Sequence, residues 1–134
     1  IGILASSVAA KIHKLEVLSH NIEDQLHNTT RFLIMSPTAD HSARSPKMIT
    51  TFVFEVRNIP AALYKVLGGF ATNGINMTKL ESYMVGGTFT ATQFYADIEG
   101  HPNHTAVAQA LEELHHYTNK LDILGVYPAA DGRS

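Results

Sequence analysis

The stretch Thr50-Thr51-Phe52-Val53-Phe54-Glu55-Val56-Arg57-Asn58-Ile59-Pro60 decides the fold. Its first seven residues alternate. Phe52, Phe54 and Val56 share one side and Thr51, Val53 and Glu55 the other, the period of a strand with one buried face. Asn58-Ile59-Pro60 then breaks the strand, with Pro60 suited to the first turn of a helix and Asn58 to its cap. Leu63, Val66, Leu67, Phe70 and Ala71 recur at the spacing of a core-facing helical stripe, and Asn73-Gly74 stops it. Ile75 to Tyr83 reads as a second strand, Gly86-Gly87 as a tight turn and Thr88 to Glu99 as a third strand, making a hairpin. Gly100-His101-Pro102 interrupts the chain. Thr105 to Asn119 is a second helix with Val107, Ala110, Leu111 and Leu114 inward, and Leu121 to Tyr127 is the last strand. The order βαββαβ is that of an α+β, ferredoxin-like sandwich, with both helices on one face of a four-stranded antiparallel sheet. The other face carries Thr51, Glu55, Phe89 and Tyr95, a mixed set expected to meet something such as a second copy.

The chain upstream is different in kind. Residues 36–48 hold two prolines and three serines and little to bury, so they read as a linker. Before them, Ile1 to Leu4 is a short apolar run, and Ser6 or Ser7 caps a helix through Leu15 with Val8, Ala9 and Ile12 on one face. Val17 to Ile22 reads as extended. Thr29 to Met35 is rich in strand formers, and Phe32-Leu33-Ile34-Met35 is apolar on both faces, as in a strand covered on both sides. So short a segment cannot close a core alone. We therefore expect residues 1–36 to be a partial α/β segment, 37–48 a linker, and 49–134 a second domain. The opening Ile1-Gly2-Ile3-Leu4-Ala5 has neither an initiator Met nor a basic leader, so the chain reads as a fragment of a longer cytoplasmic protein.

Composition narrows the function. The 134 residues are 45% hydrophobic and 16% charged, enough to bury a core. Ten Lys and Arg against twelve Asp and Glu give a net charge of −2, with no basic excess for a phosphate backbone, which argues against nucleic acid. The absence of cysteine excludes disulfide scaffolds, thiolate metal sites and cysteine nucleophiles. No apolar run approaches the roughly 20 residues of a membrane span. His101 and His104, and Glu112-Glu113-Leu114-His115-His116, have metal-like spacing. The helix holding the second set must bury Leu111 and Leu114, so those histidines lie on its wet flank and no metal is expected.

Two constellations carry chemistry. In an extended strand Asn28, Thr30 and Phe32 share a face and Arg31 points away. An amide, a hydroxyl and a ring could line a pocket for a cyclic polar substrate; equally, the stretch could be a strand whose Thr and Arg end on a wet edge. Asn58-Ile59-Pro60-Ala61-Ala62-Leu63 offers small residues and free N–H groups at a helix start, a seat for a carboxylate or simply a capped helix.

These residues, in order and spacing, resemble the bacterial prephenate dehydratases. The resemblance rests on Asn28-x-Thr30-Arg31-Phe32, then Asn58-Ile59-Pro60-Ala61-Ala62-Leu63-Tyr64, then Gly74-Ile75-Asn76-Met77-Thr78-Lys79-Leu80-Glu81-Ser82. Ala5-Ser6 before Ala9-Ala10 fits too, as does Leu121-Asp122-Ile123-Leu124-Gly125-Val126-Tyr127-Pro128. It implies the last part of a catalytic domain followed by a regulatory ACT domain. The family's lyase reaction converts prephenate to phenylpyruvate, water and carbon dioxide in phenylalanine biosynthesis, without a cofactor. The resemblance makes Thr30 the catalytic threonine, a hydrogen-bond donor to the leaving oxygen. Asn28 and Phe32 would line the cleft, Ser6 at its helix start would bind a substrate carboxylate, and Arg31 would anchor a carboxylate or brace the subdomain. It implies an allosteric L-phenylalanine site between two subunits of a homodimer, framed by Asn58, Ala61, Ala62, Leu63, Asn76, Glu81 and Ser82. Ala61 stands where the family motif has glycine, and Tyr83-Met84 where it has arginine-proline. The fragment alone is expected to be inactive. The rival reading is a stand-alone ACT module that binds an amino acid without catalysis.

Overall fold

The computed structural model describes residues 2–24, 30–42, 44–57, 59–86 and 91–130. The chain divides into two compact units, Ile1–Met35 and Ser36–Ser134.

The second unit carries the predicted sandwich. Its elements are β1 (Met48–Val56), α2 (Ala62–Thr72), β2 (Met77–Met84), β3 (Ala91–Glu99), α3 (Thr105–Tyr117) and β4 (Thr118–Pro128), with α1 (Ser7–His13) in the first unit. The strands form one sheet in the order β2-β3-β1-β4, every neighbouring pair antiparallel. This is the ferredoxin-like arrangement. Alternation in β1 puts Phe52, Phe54 and Val56 into a core closed by Val66 and Phe70 of α2 and Val107, Ala110, Leu111 and Leu114 of α3. The aromatic rings stack as a column: Phe52 lies 5.9 Å from Phe70 and Phe54 5.3 Å from Phe94.

Three local readings shift. The stripe of α2 is centred on Ala62, Val66, Gly69 and Phe70, while Leu63 and Leu67 are half-buried and Ala71 is exposed. The cause is Gly69, where α2 meets α3: a methyl there would sit 2.8 Å from Glu113 Oε2. Tertiary contact thus selects a face one position from the most hydrophobic one. The second shift ends α3 at Tyr117. The Thr118 hydroxyl donates to the Leu114 carbonyl at 3.1 Å, and Thr118 pairs with Val56 in the sheet, so strand pairing claims residues the helical pattern would have kept. The third is the start of α2. Its cap is Ala61, not Asn58, and Pro60 lies in the turn before it. The Asn73-Gly74 stop holds: Gly74 adopts φ +67°, and Ile75 N–H donates to the Phe70 carbonyl at 2.9 Å, a left-handed glycine cap.

In the first unit the helix is shorter than expected, Ser7–His13, with Ser6 as cap. Among its described residues there is no strand, so the extended readings at 2–4, 17–22 and 30–35 are not realised. A strand needs a neighbour for its ladder, and the described residues of the unit supply none. Val8, Ile12, Phe32, Ile34 and Met35 are all exposed.

Candidate functional site

Within the first unit, the Ser6 hydroxyl accepts the Ala9 N–H at 3.1 Å, which caps α1. Thr30, Arg31 and Phe32 follow one another in an exposed, irregular stretch. The alternation that would aim Thr30 and Phe32 one way and Arg31 the other is therefore not set by a strand. Asn28 lies outside the described residues.

In the second unit, α2 opens on a strained residue. Ala61 adopts φ +58°, ψ 23°, the left-handed region that suits glycine and costs an L-residue about 1–2 kcal/mol. The same position is where the family motif resembled above carries glycine, so the substitution is felt in the backbone itself. Ala61 is exposed, and its carbonyl already accepts the Lys65 N–H at 3.0 Å. Ala62 N–H is turned back to the Ile59 carbonyl at 3.2 Å. Leu63 N–H stands in the first turn, where no carbonyl inside the helix lies four residues back. Ala62 is buried and Leu63 packs against the core, while Tyr64 in the same turn is exposed. Asn58 again lies outside the described residues. Ala61→Gly is expected to raise stability by about 0.5–1 kcal/mol. Relief of the left-handed strain is partly offset by the greater freedom of an unfolded glycine. Urea unfolding of the two proteins measures it.

The remaining ligand candidates lie on β2. Ser82 pairs with Phe94, itself paired with Phe54, which puts Ser82 on the helix face at the end of the sheet where β1 runs toward α2. Asn76 precedes β2 at the opposite end, accepting the Glu99 N–H at 2.9 Å. Six residues of extended chain separate it from Ser82, about 20 Å at 3.3 Å per residue. One chain therefore brings Ser82, but not Asn76, to the end of the sheet that leads into Ala61 and Leu63.

Glu81 pairs with Tyr95, which pairs with Val53, so it stands on the face away from the helices. Its carboxylate accepts the Tyr83 hydroxyl at 2.7 Å and the Lys79 ammonium at 3.0 Å. These two partners, Tyr83 first, hold Glu81 below the ordinary carboxylate range, and Glu81 in turn raises both. Lys79 also lies 5.0 Å over the Tyr95 ring.

That face is less open than its sequence suggests. Thr51 and Asp97 are buried at 4% and 0% exposure. The Tyr127 hydroxyl lies 2.8 Å from that of Thr51, which donates to Asp97 Oδ1 at 2.6 Å. Strand alternation could have put Asp97 beside Thr51. Nothing in the sequence marked the acid as buried, because Tyr127 and the neighbouring strands cover it only once the sheet is paired. Phe89 lies outside the described residues. His101 is buried, and among the described residues no group of three or more His, Asp or Glu is placed to hold a metal. No helix among them is long and apolar enough to cross a membrane.

The fold and the two sets of residues define a chain with a sandwich behind a separate leading unit. Comparison with known proteins gives its relatives. Residues 1–40 match the family model described as prephenate dehydratase. Over 97% of its length the chain is 52% identical to a bifunctional N-acyl-homoserine lactone acylase/prephenate dehydratase of Komagataeibacter europaeus, covering 47% of that protein. Over 96% it is 40% identical to a bifunctional chorismate mutase/prephenate dehydratase of Aquifex aeolicus, covering 35% of it. Among solved structures, one described as GqqA, a novel type of quorum quenching acylase, aligns over 74% of this chain and 50% of its own, at 50% identity and a TM-score of 0.65. The prephenate dehydratase of Arthrobacter aurescens in complex with L-Phe aligns over 72% of this chain and 32% of its own, at 31% identity and a TM-score of 0.63. The chain is thus a relative of the prephenate dehydratases over almost its entire length. It spans about a third to a half of the length of these relatives.

Proposed function

We propose that the chain is part of a prephenate dehydratase, in which residues 1–36 belong to the catalytic domain, 37–48 connect, and 49–134 form a regulatory domain that binds L-phenylalanine for feedback inhibition. The observation that carries this reading is the likeness, in sequence and fold, to a prephenate dehydratase whose structure was solved with L-Phe.

In the catalytic part, prephenate loses its ring hydroxyl as water and a carboxyl group as carbon dioxide, and aromatisation drives both losses. Thr30 donates a hydrogen bond to the departing oxygen. A threonine hydroxyl is a poor acid, so it polarises the bond rather than giving up its proton, and the departing hydroxide takes the proton that makes it water from solvent. Asn28 and Phe32 line the cleft, Ser6 faces a carboxylate from its helix start, and Arg31 anchors the other or braces the segment. In the regulatory part, the start of α2, Asn58 with Ala61, Ala62 and Leu63, seats the amino-acid carboxylate with Leu63 N–H, and Ser82 stands at the same end of the sheet. The strand register favours Asn76 coming from a second copy, which makes the site a dimer site. Glu81 meets the ammonium group only after exchanging Lys79 and Tyr83. The setting is cytoplasmic, and no cofactor takes part.

The acylase named in the relative at 52% identity supports a second reading, hydrolysis of N-acyl-homoserine lactones by the same protein. Fusing this chain behind the preceding portion of the Komagataeibacter relative tests both. The fusion is expected to convert prephenate to phenylpyruvate, and residues 1–134 alone to leave it unchanged, because the cleft lacks its other walls. A fusion that folds, hydrolyses the lactone and leaves prephenate untouched would replace the first reading by the second.

A further inference from the structure

The segment read from sequence as a linker, residues 36–48, is bonded to the sandwich through the carbonyls of His41 and Lys47. His101 is buried at 2% exposure, and both of its ring nitrogens are engaged. Asn103 N–H reaches Nδ1 at 3.0 Å, so Nδ1 is the acceptor. Nε2 lies 2.7 Å from the His41 carbonyl, which only accepts, so Nε2 bears the proton. The ring is thereby fixed as one neutral tautomer bridging the β3–α3 loop and the incoming chain.

Both sides of this bridge are built. On the loop side, Gly100 takes φ +122° and a methyl there would lie 2.6 Å from Val107 Cγ2. Gly100 N–H donates to the Met48 carbonyl at 2.8 Å, and its own carbonyl accepts the Thr50 hydroxyl at 2.7 Å. On the other side, Asp40 Oδ1 accepts the Ser42 N–H at 3.0 Å and the Ser42 hydroxyl at 2.7 Å, and Arg44 pairs with Asp40 while its Nε donates to Ser42 Oγ at 2.8 Å. This turn closes around His41 and aims its carbonyl. The bonds from Ser42 also hold the Asp40 carboxylate below its ordinary range. Further on, Ala129 N–H reaches the Lys47 carbonyl at 2.9 Å, extending the β1–β4 ladder past its end.

We propose that His101 and the Asp40–Ser42–Arg44 turn form a clasp that fixes the incoming chain on the sandwich at His41, so that this segment is an anchored strap and not a free tether. His101 is then a positioning residue: the chain enters the sandwich with a set direction, and a change in the β3–α3 loop is felt at His41. The inference is independent of which ligand the sandwich binds.

The test is nitrogen-15 NMR of the histidine rings in the whole chain, wild type against Asp40→Ala. Asp40 is exposed and its loss leaves the core intact. The wild type is expected to show His101 as the Nε2–H tautomer with a slowly exchanging ring proton. In Asp40→Ala that exchange should be about 10-fold faster or more, the equivalent of one charge-assisted hydrogen bond. Ser42→Ala, which removes the two hydroxyl bonds of the turn and keeps the Ser42 N–H and Arg44 bonds to Asp40, should fall between them. A proton on Nδ1 in the wild type, or a ring proton exchanging equally fast in all three proteins, overturns the clasp.

Discussion

Thr30→Ala in the completed enzyme is expected to lower kcat about 100-fold or more, with KM for prephenate little changed. A single positioned donor to a departing oxygen is worth that much in other active sites, because it acts where charge develops and hardly at all on the bound substrate. Thr30→Ser keeps the hydroxyl and should recover most of the rate. Steady-state kinetics on the fusion described above measures all three. Near-normal kcat for the alanine variant would remove Thr30 from the mechanism. Thr30 is exposed in an irregular stretch, so in the proposed enzyme its orientation would come from residues packed against 30–35.

Gly100→Ala is expected to destabilise the sandwich by about 3 kcal/mol. Two costs combine. At φ +122° any side chain is strained, by about 1–3 kcal/mol. The new methyl would also sit 2.6 Å from Val107 Cγ2, and Val107 is a stiff, buried side chain of the core. Overpacking of that kind typically costs a further 1–3 kcal/mol. The melting temperature should fall by more than about 10 °C for a unit of this size. A shift of only a degree or two would mean that the loop relaxes freely. His101 would then not be held by the backbone beside it.

The sandwich was legible because its elements announce themselves locally. The 50–56 alternation, the Val107-Ala110-Leu111-Leu114 stripe and the Asn73-Gly74 stop each name one structure, and packing then agrees with them. What escaped depends on partners distant in sequence. The face of α2 turns on Glu113 meeting Gly69. The end of α3 turns on Thr118 pairing with Val56. The burial of Asp97 turns on Thr51 and Tyr127. Ala61 escaped for another reason: nothing in an Ala-Ala-Leu run signals a left-handed residue, and only the resemblance to a glycine motif hinted at it. The linker reading of 36–48 followed from prolines and serines. The same serines and Asp40 are the residues that close turns, so a composition typical of a tether also serves an anchored strap. The strands expected in residues 1–35 were read from propensity, which supplies no hydrogen-bond partner.

The central claim, that the sandwich is an L-phenylalanine sensor, is met most directly by isothermal calorimetry of L-phenylalanine against this chain and its Ala61→Gly variant. Saturable binding is expected at one site per subunit, tighter for the glycine variant because the Ala61 methyl is gone from the helix start. No heat of binding from either protein at millimolar L-phenylalanine would contradict it.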